Sequence, residues 1–169
     1  IFSSADLQEA SAQQSQWSEC NFAGANLKHA NFLRAQFSYC RFYGVTGDQA
    51  NFSSARLAHC DLSRAEFRQA KFNLAELTQS LFCGAQLSRA QFREANLQAA
   101  DFSGANLEEA RFGDAKLRGA DFRAANLRGA REIQPDQLAM SLTDNRTVLP
   151  NGSPGPYVRR SGQERPHIR

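Results

Sequence analysis

Hydrophobic residues recur at every fifth position along most of this sequence. Every Phe and ten of the Leu residues stand at numbers that leave a remainder of 2 on division by five. There are 26 such positions from residue 2 to residue 127, and only Ala12, Trp17 and Gly47 are neither Leu nor Phe. Two positions earlier lies a column of small residues, with 20 Ala in the 26 places from 5 to 130. A shared phase of this kind indicates an internal repeat of five residues.

The five-residue period excludes a helix and favours short extended segments. Around a helix, successive Leu or Phe residues would point about 140° apart and would form no single face. The order Ala, polar, Leu or Phe alternates inward and outward as a strand does, and the two remaining polar residues can turn the chain. One unit is too short to bury a core by itself, so we expect the units to coil and stack.

The stacking period predicted from the sequence is twenty residues. From Leu77 to Leu127 the central residue alternates between Leu and Phe without exception, which gives a period of ten. Independently, Cys20, Cys40 and Cys60 are spaced by twenty residues within the small-residue column. Four units per coil satisfy both spacings, and Leu and Phe then each occupy two opposed faces of the coil.

Individual units resemble those of pentapeptide-repeat proteins, which follow the pattern A(D/N)LXX. Examples are Ala-Asn-Leu-Lys-His at 25–29 and Ala-Asn-Leu-Glu-Glu at 105–109, and the resemblance covers about residues 1–131. It implies that family's all-β fold, a right-handed quadrilateral parallel β-helix with twenty residues per coil. The 25 units of residues 5–129 would form about six coils.

Gly47 interrupts a core column whose other members are Leu, except for Phe67 in the following coil. The larger Phe ring would fill the space beside the missing side chain, because an empty volume in a packed core forfeits contacts. The alternative is a local distortion of the chain at 45–49, the least regular unit. Both interpretations remain open at this point.

The repeat ends at Arg131 and Glu132, where a charged residue takes a core position. Residues 132–150 are predicted to form a helical cap, beginning near Pro135 and running to about residues 141–143, followed by a docked extended segment. Residues 151–169 are predicted to be a flexible basic tail. The first coil shows no cap, so we expect preceding repeats, another domain or a partner to cover it, including self-association through a coil end.

Four cysteines raise the question of metal or redox chemistry, but no CxxC or Cys/His motif accompanies them. The column of Cys20, Cys40 and Cys60 can be read as a metal or redox site, or as small apolar side chains in a tight corner. We favour the second, since parallel Cβ vectors on stacked strands do not converge for a disulfide. Cys83 follows Phe82 and is expected to face outward as the one reactive thiol.

Composition and motifs exclude several classes of protein. The chain has 20 Lys and Arg against 17 Asp and Glu and contains no run of 18 apolar residues, so no membrane span is predicted. No leader segment is visible, and we expect a cytoplasmic bacterial protein. GxSxG, Walker A, GxGxxG and HExxH motifs are absent, so we expect no enzyme, no cofactor, no metal and no small-molecule substrate. His29 and His59 fall at outward corner positions, and His167 lies in the tail.

Charge decides between two functional hypotheses. Quinolone-resistance members of the family mimic B-form DNA and bind gyrase through an acidic surface, and the resemblance makes this the alternative hypothesis, conferring quinolone or toxin protection. Residues 1–130 carry 14 basic and 13 acidic side chains, and no face of the expected coil is strongly negative or strongly basic. We therefore expect a non-catalytic protein-interaction or scaffold module with an unidentified protein partner and no direct nucleic-acid binding. The candidate contact residues are the apolar side chains outside the core columns: Leu33, Tyr39, Tyr43, Leu74, Leu81 and Cys83.

Overall fold

Parallel bridges between residues twenty apart organise the chain. The computed structural model describes residues 1–166, so His167 and Arg169 of the predicted tail lie outside the described residues. Asn26 bridges to Thr46 and Thr46 to Glu66, and the same register recurs at every fifth residue from one coil to the next. The bridging residue is the outward one between the Ala and Leu/Phe columns, and within the repeat it is polar in every unit except that of Leu81. The predicted period of twenty residues is confirmed.

The strands are much shorter than an all-β description predicts. Within residues 1–166 the structure forms two strands, β1 at Gln16–Ser18 and β2 at Gln36–Ser38, which pair in parallel with Trp17 opposite Phe37. Elsewhere in the repeat each unit contributes a single bridging residue followed by a turn. The predicted parallel stacking is present, but little of the backbone is continuous strand, because the turn uses the residues that would extend each strand.

A single unit shows why five residues suffice. The N–H of Asn51 donates to the preceding coil at 2.9 Å, and those of Phe52 and Ser54 donate to the following coil at 2.7 and 2.8 Å. Ala55 N–H closes the turn on the Phe52 carbonyl at 3.0 Å. The remaining donor, Ser53 N–H, is accepted by the Asn51 side-chain oxygen at 3.1 Å. Every backbone donor of the unit is thus satisfied, which explains the preference for Asn or Asp at its start.

The Leu/Phe and Ala columns form one continuous core. All Leu and Phe residues of the repeating phase from Phe22 to Leu127 are buried, as are the members of the small-residue column from Ala25 to Ala130. Rings one coil apart stack face to face: the Phe92 centroid lies 5.2 Å from that of Phe72 and 5.4 Å from that of Phe112. Phenylalanines twenty residues apart thus stack directly, as the predicted period requires.

Gly47 keeps its place in the ladder, and the core compensates for its missing side chain. Its N–H donates to the Glu66 carbonyl at 2.7 Å, and the preceding residue Thr46 bridges to Glu66 in the normal register. A Cβ atom at Gly47 would collide with Cε1 of Phe67, which is fully buried. The Phe ring therefore occupies the vacated volume, and the alternative of a local distortion is wrong.

A one-residue shift converts the last coil into a cap. Glu132 stands at the expected core position, but Ile133 is the buried residue. The bridges that follow change accordingly, with Leu142 paired to Asp121 and Val148 paired to Asn126. The capping segment therefore continues the ladder, but its bridged residues are 21 and then 22 positions apart instead of 20.

Helix α1, Pro135–Ala139, begins where the sequence predicts but ends earlier. Gln137, buried on this helix, donates its amide to the carbonyls of Ala115 at 2.7 Å and Phe112 at 3.1 Å. In earlier coils the carbonyl equivalent to that of Ala115 accepts a backbone N–H of the next coil. The Gln side chain replaces that donor at the end of the rod.

Residues 151–166 lie against the cap, where the sequence predicted a flexible tail. Asn151 N–H donates to the Gln163 carbonyl at 3.1 Å, and the Tyr157 hydroxyl donates to Glu164 at 3.2 Å. Glu164 is only 7% exposed, and Arg159 pairs with Asp136 of α1 at 2.7 Å. These contacts are tertiary and have no periodic signature, so the sequence pattern does not reveal them.

Candidate interaction surfaces

Three of the predicted contact residues lie exposed on one side of the rod, together with a half-buried cysteine. Tyr39, Tyr43 and Leu81 are 77%, 41% and 42% exposed, and we refer to them with Cys83 as the tyrosine face. The parallel bridges place them together. Arg41 lies between the two tyrosines in the sequence and bridges to Asp61 of the next coil, and Asp61 bridges to Leu81 of the coil after that. These four residues therefore span three successive coils.

A cation fixes part of this surface. The Arg64 guanidinium, one coil beyond Tyr43, lies over the Tyr43 ring with its carbon 5.9 Å from the centroid. Such a cation–π contact attracts the guanidinium to the face of the ring and favours one orientation of the Tyr43 side chain. The tyrosine face thus combines an oriented aromatic ring with an exposed aliphatic side chain.

The remaining two predicted contact residues are separate from this face. Leu74 is 57% exposed and Leu33 is half-buried, two coils apart from one another. They stand about half a coil from the tyrosine face in the ladder, hence on the opposite side. The structure therefore divides the six candidate residues into two surfaces.

Burial lowers the thiolate fraction of three of the four cysteines. All four are free thiols, and burial raises the pKa of Cys60 to about 12 and raises that of Cys40 above its usual value. Burial also raises the pKa of Cys83, which lowers its thiolate fraction. This opposes the predicted reactivity of Cys83. Within residues 1–166, no group of three or more His, Cys, Asp or Glu side chains is arranged to hold a metal ion.

One column carries the acidic residues that a DNA mimic would need. Asp61, Asp101 and Asp121 share a position in the coil, and each carboxylate accepts the backbone N–H two residues later, at 3.0, 2.8 and 2.9 Å. Arg123 donates to Asp121 and lowers the pKa of that carboxyl. Arg41 stands in the same column. These carboxylates serve the turns of the coil and have cations beside them.

Sequence reasoning missed a groove along one edge of the rod. The groove has a volume of about 640 Å³ and is bordered by two columns, of which Lys71, Arg111 and Arg131 form the more cationic. Summing charge by flat face conceals it, because the two columns belong to adjoining faces. The signal that could have revealed it is positional: these three residues share a remainder of 11 on division by twenty.

No helix among residues 1–166 has the length and apolar character needed to cross a membrane, since α1 has five residues.

Two family models match the repeat. Residues 15–92 match the pentapeptide repeat region, and residues 95–131 match the model of pentapeptide repeats in eight copies. No curated protein matches the sequence.

Solved structures of pentapeptide repeat proteins resemble the chain. One from the Arabidopsis thaliana thylakoid lumen is 26% identical, with 73% of this chain and 72% of that one covered and a TM-score of 0.49. HetL from the cyanobacterium Nostoc, involved in heterocyst differentiation regulation, is 19% identical with 87% and 92% covered and a TM-score of 0.36. The plasmid-mediated fluoroquinolone resistance protein QnrB1 is 16% identical with 82% and 86% covered and a TM-score of 0.40.

All three TM-scores lie below 0.5, so the assignment rests on the repeat itself. The two family models together cover most of residues 15–131, and the bridges confirm that successive units stack with the period that the repeat predicts. The family is generally structural or binding rather than catalytic, and its fold is a right-handed β-helix. The chain belongs to the pentapeptide repeat family.

Proposed function

We propose that this chain is a non-catalytic protein-interaction module, a four-sided rod of about six coils that binds a protein partner through its outward residues. The observation that carries the proposal is the tyrosine face. Its aromatic and aliphatic side chains are exposed to solvent and play no part in the core, because the inward columns are already filled by other residues. Tyr is enriched at protein interfaces because it buries a large area at a low entropic cost.

The rigidity of the rod supports the same role. Backbone N–H groups throughout the repeat donate to carbonyls of the neighbouring coils, so the outward side chains stand at fixed spacings of about 4.8 Å from coil to coil. A surface of fixed spacing loses little conformational entropy when a partner docks. The repeat thus suits recognition better than chemistry.

The alternative, a DNA-mimicking protein that binds gyrase and protects against quinolones or toxins, has less support. The column of Asp61, Asp101 and Asp121 is interrupted by Leu81 and shares its side of the rod with Arg41 and Arg123. Phosphate-like recognition requires a continuous negative stripe.

The experiment is a comparison of partner capture by three immobilised proteins. The wild-type chain is compared with the triple variant Tyr39→Ser, Tyr43→Ser, Leu81→Ser, and with Leu33→Ser, Leu74→Ser as the control on the opposite side. We expect a stoichiometric partner, identified by mass spectrometry, to be retained by the wild type and the control and lost from the triple variant. Equal retention by all three proteins would contradict the tyrosine face as the contact surface. Matching thermal melts would show that the rod is intact.

A further inference from the structure

The groove along one edge of the rod has a construction distinct from the tyrosine face. Lys71, Gln91, Arg111 and Arg131 succeed one another through parallel bridges, so they stand in one line along one border. The opposite border includes Arg89 and Glu109. Buried Ala residues lie between the two borders and point inward. Long side chains on either side of small inward ones therefore enclose a trough, which we call the basic groove.

The basic groove carries a net positive charge. Its lining residues include four cationic side chains and one carboxylate, Glu109, which pairs with Arg89 at 2.9 Å. The resulting charge of +3 equals the formal net charge of the whole chain. Within residues 1–166, no carboxylate lies within 4.0 Å of the cationic groups of Lys71, Arg111 or Arg131.

A row of cations without a carboxylate partner in a concave site attracts anions. The trough raises the local potential, and an anionic ligand relieves the mutual repulsion of the row. The cations are distributed along several coils rather than gathered at one point. This arrangement fits an extended chain that carries several negative groups better than it fits one small anion.

The other lining residues distinguish between two classes of extended anion. Gln49, Gln69 and Gln91 offer amide donors and acceptors, which suit the peptide backbone. No Phe, Tyr or Trp lines the groove within the described part of the chain, and binding of single-stranded nucleic acid depends on aromatic side chains that stack on bases. We propose that the basic groove binds an extended acidic peptide segment whose carboxylates pair with Lys71, Arg111 and Arg131.

This inference deepens the proposed protein-interaction function and rests on it, but it uses a different surface. The tyrosine face lies along another edge of the rod, so its variants leave the groove residues in place. The two proposals therefore fail separately: absence of peptide binding overturns the groove alone, whereas unchanged capture by the tyrosine-face variant overturns that face alone.

The test measures fluorescence anisotropy of a labelled ten-residue Glu-rich peptide titrated with the full chain at low and moderate salt. The triple groove variant should bind the peptide about tenfold more weakly than the wild type, because it lacks three charge-assisted contacts. Its substitutions are Lys71→Gln, Arg111→Gln and Arg131→Gln. The matched control is Arg34→Gln, Arg56→Gln, Lys116→Gln, which removes the same residue types outside the groove. It should bind the peptide within about twofold of the wild type, as expected for charges remote from the site. Arg111→Gln alone provides a milder change should the triple variant melt differently.

Several outcomes would overturn the proposal. These are the absence of wild-type binding at high-micromolar protein, and equal weakening by the control variant. Tighter binding of a labelled oligothymidine that the groove variant abolishes would assign the groove to nucleic acid instead. Sedimentation that shows self-association by the wild type and not by the groove variant would assign it to a second copy of the chain.

Discussion

At the scale of single residues, the inward or outward direction of a side chain decides its effect on stability. Phe92 is fully buried between the stacked rings of Phe72 and Phe112. Phe92→Asp would place a carboxylate there without a partner, and we expect it to abolish the cooperative melt followed by circular dichroism. The control is the next residue: Arg93→Ala removes a surface ion pair with Glu132 and should cost under about 1 kcal/mol. Similar melting temperatures for the two variants would contradict the assignment of the columns.

The pairing of Gly47 with Phe67 provides a second test at this scale. A methyl group at position 47 would collide with the Phe67 ring, so Gly47→Ala should destabilise the protein by about 1–3 kcal/mol through overpacking. Phe67→Leu alone leaves a cavity and is also destabilising. Together the two changes should cost less than the sum of the single costs, measured by urea denaturation. Additivity within about 0.5 kcal/mol would show that the two sites are not coupled.

At the scale of elements, the cap contains an acid-sensitive contact. Asp144 has its pKa lowered well below the usual range, chiefly because Ala124 N–H donates to it at 2.9 Å, with contributions from Arg146 and Thr147. In the repeat, a backbone carbonyl of the next coil takes the place of this carboxylate. The side chain thus completes the ladder where the register has shifted.

The pH dependence follows from the direction of that shift. A carboxyl whose pKa is lower in the folded state stabilises the protein above its unfolded pKa of about 3.9, and this stabilisation is lost as pH falls through the folded pKa. We expect Asp144→Asn to melt at a lower temperature than the wild type at pH 7. The difference should stay constant down to about pH 5 and shrink below pH 4. A difference that persists unchanged into strong acid would contradict the role of the charge.

How far the sequence predicts these elements depends on the range of the interactions. The core columns, the register of twenty residues and the helix start at Pro135 follow from local periodicity and capping chemistry. The shift from Glu132 to Ile133 does not, because a charged residue in a core position marks only the end of the repeat. The contact of Tyr157 with Glu164 and the alignment of the basic groove arise across coils and faces. A periodic pattern along the sequence does not predict contacts of this kind.

At the scale of the whole molecule, charge is distributed by edge rather than by face. The basic groove carries a net charge of +3, whereas the column of Asp61, Asp101 and Asp121 lies half a coil away on the opposite edge. The first is open to an anionic ligand, and the second is engaged by backbone donors and by Arg123. Such a rod attracts an acidic partner electrostatically through the basic groove and attracts a basic partner only weakly.

The charge distribution of the rod predicts that it does not inhibit gyrase. A DNA mimic needs enough carboxylates on one surface to replace several phosphates, but residues 1–130 carry 14 basic and 13 acidic side chains, and Arg56, Lys116 and Arg118 place positive charge where a mimic would be negative. Electrostatic steering toward a DNA-binding surface would be weak or repulsive. We expect no inhibition of gyrase supercoiling and no relief of quinolone action at low-micromolar protein. Inhibition at that concentration that weakens sharply as salt rises would support the DNA-mimic alternative, because such a salt dependence requires charge-driven association.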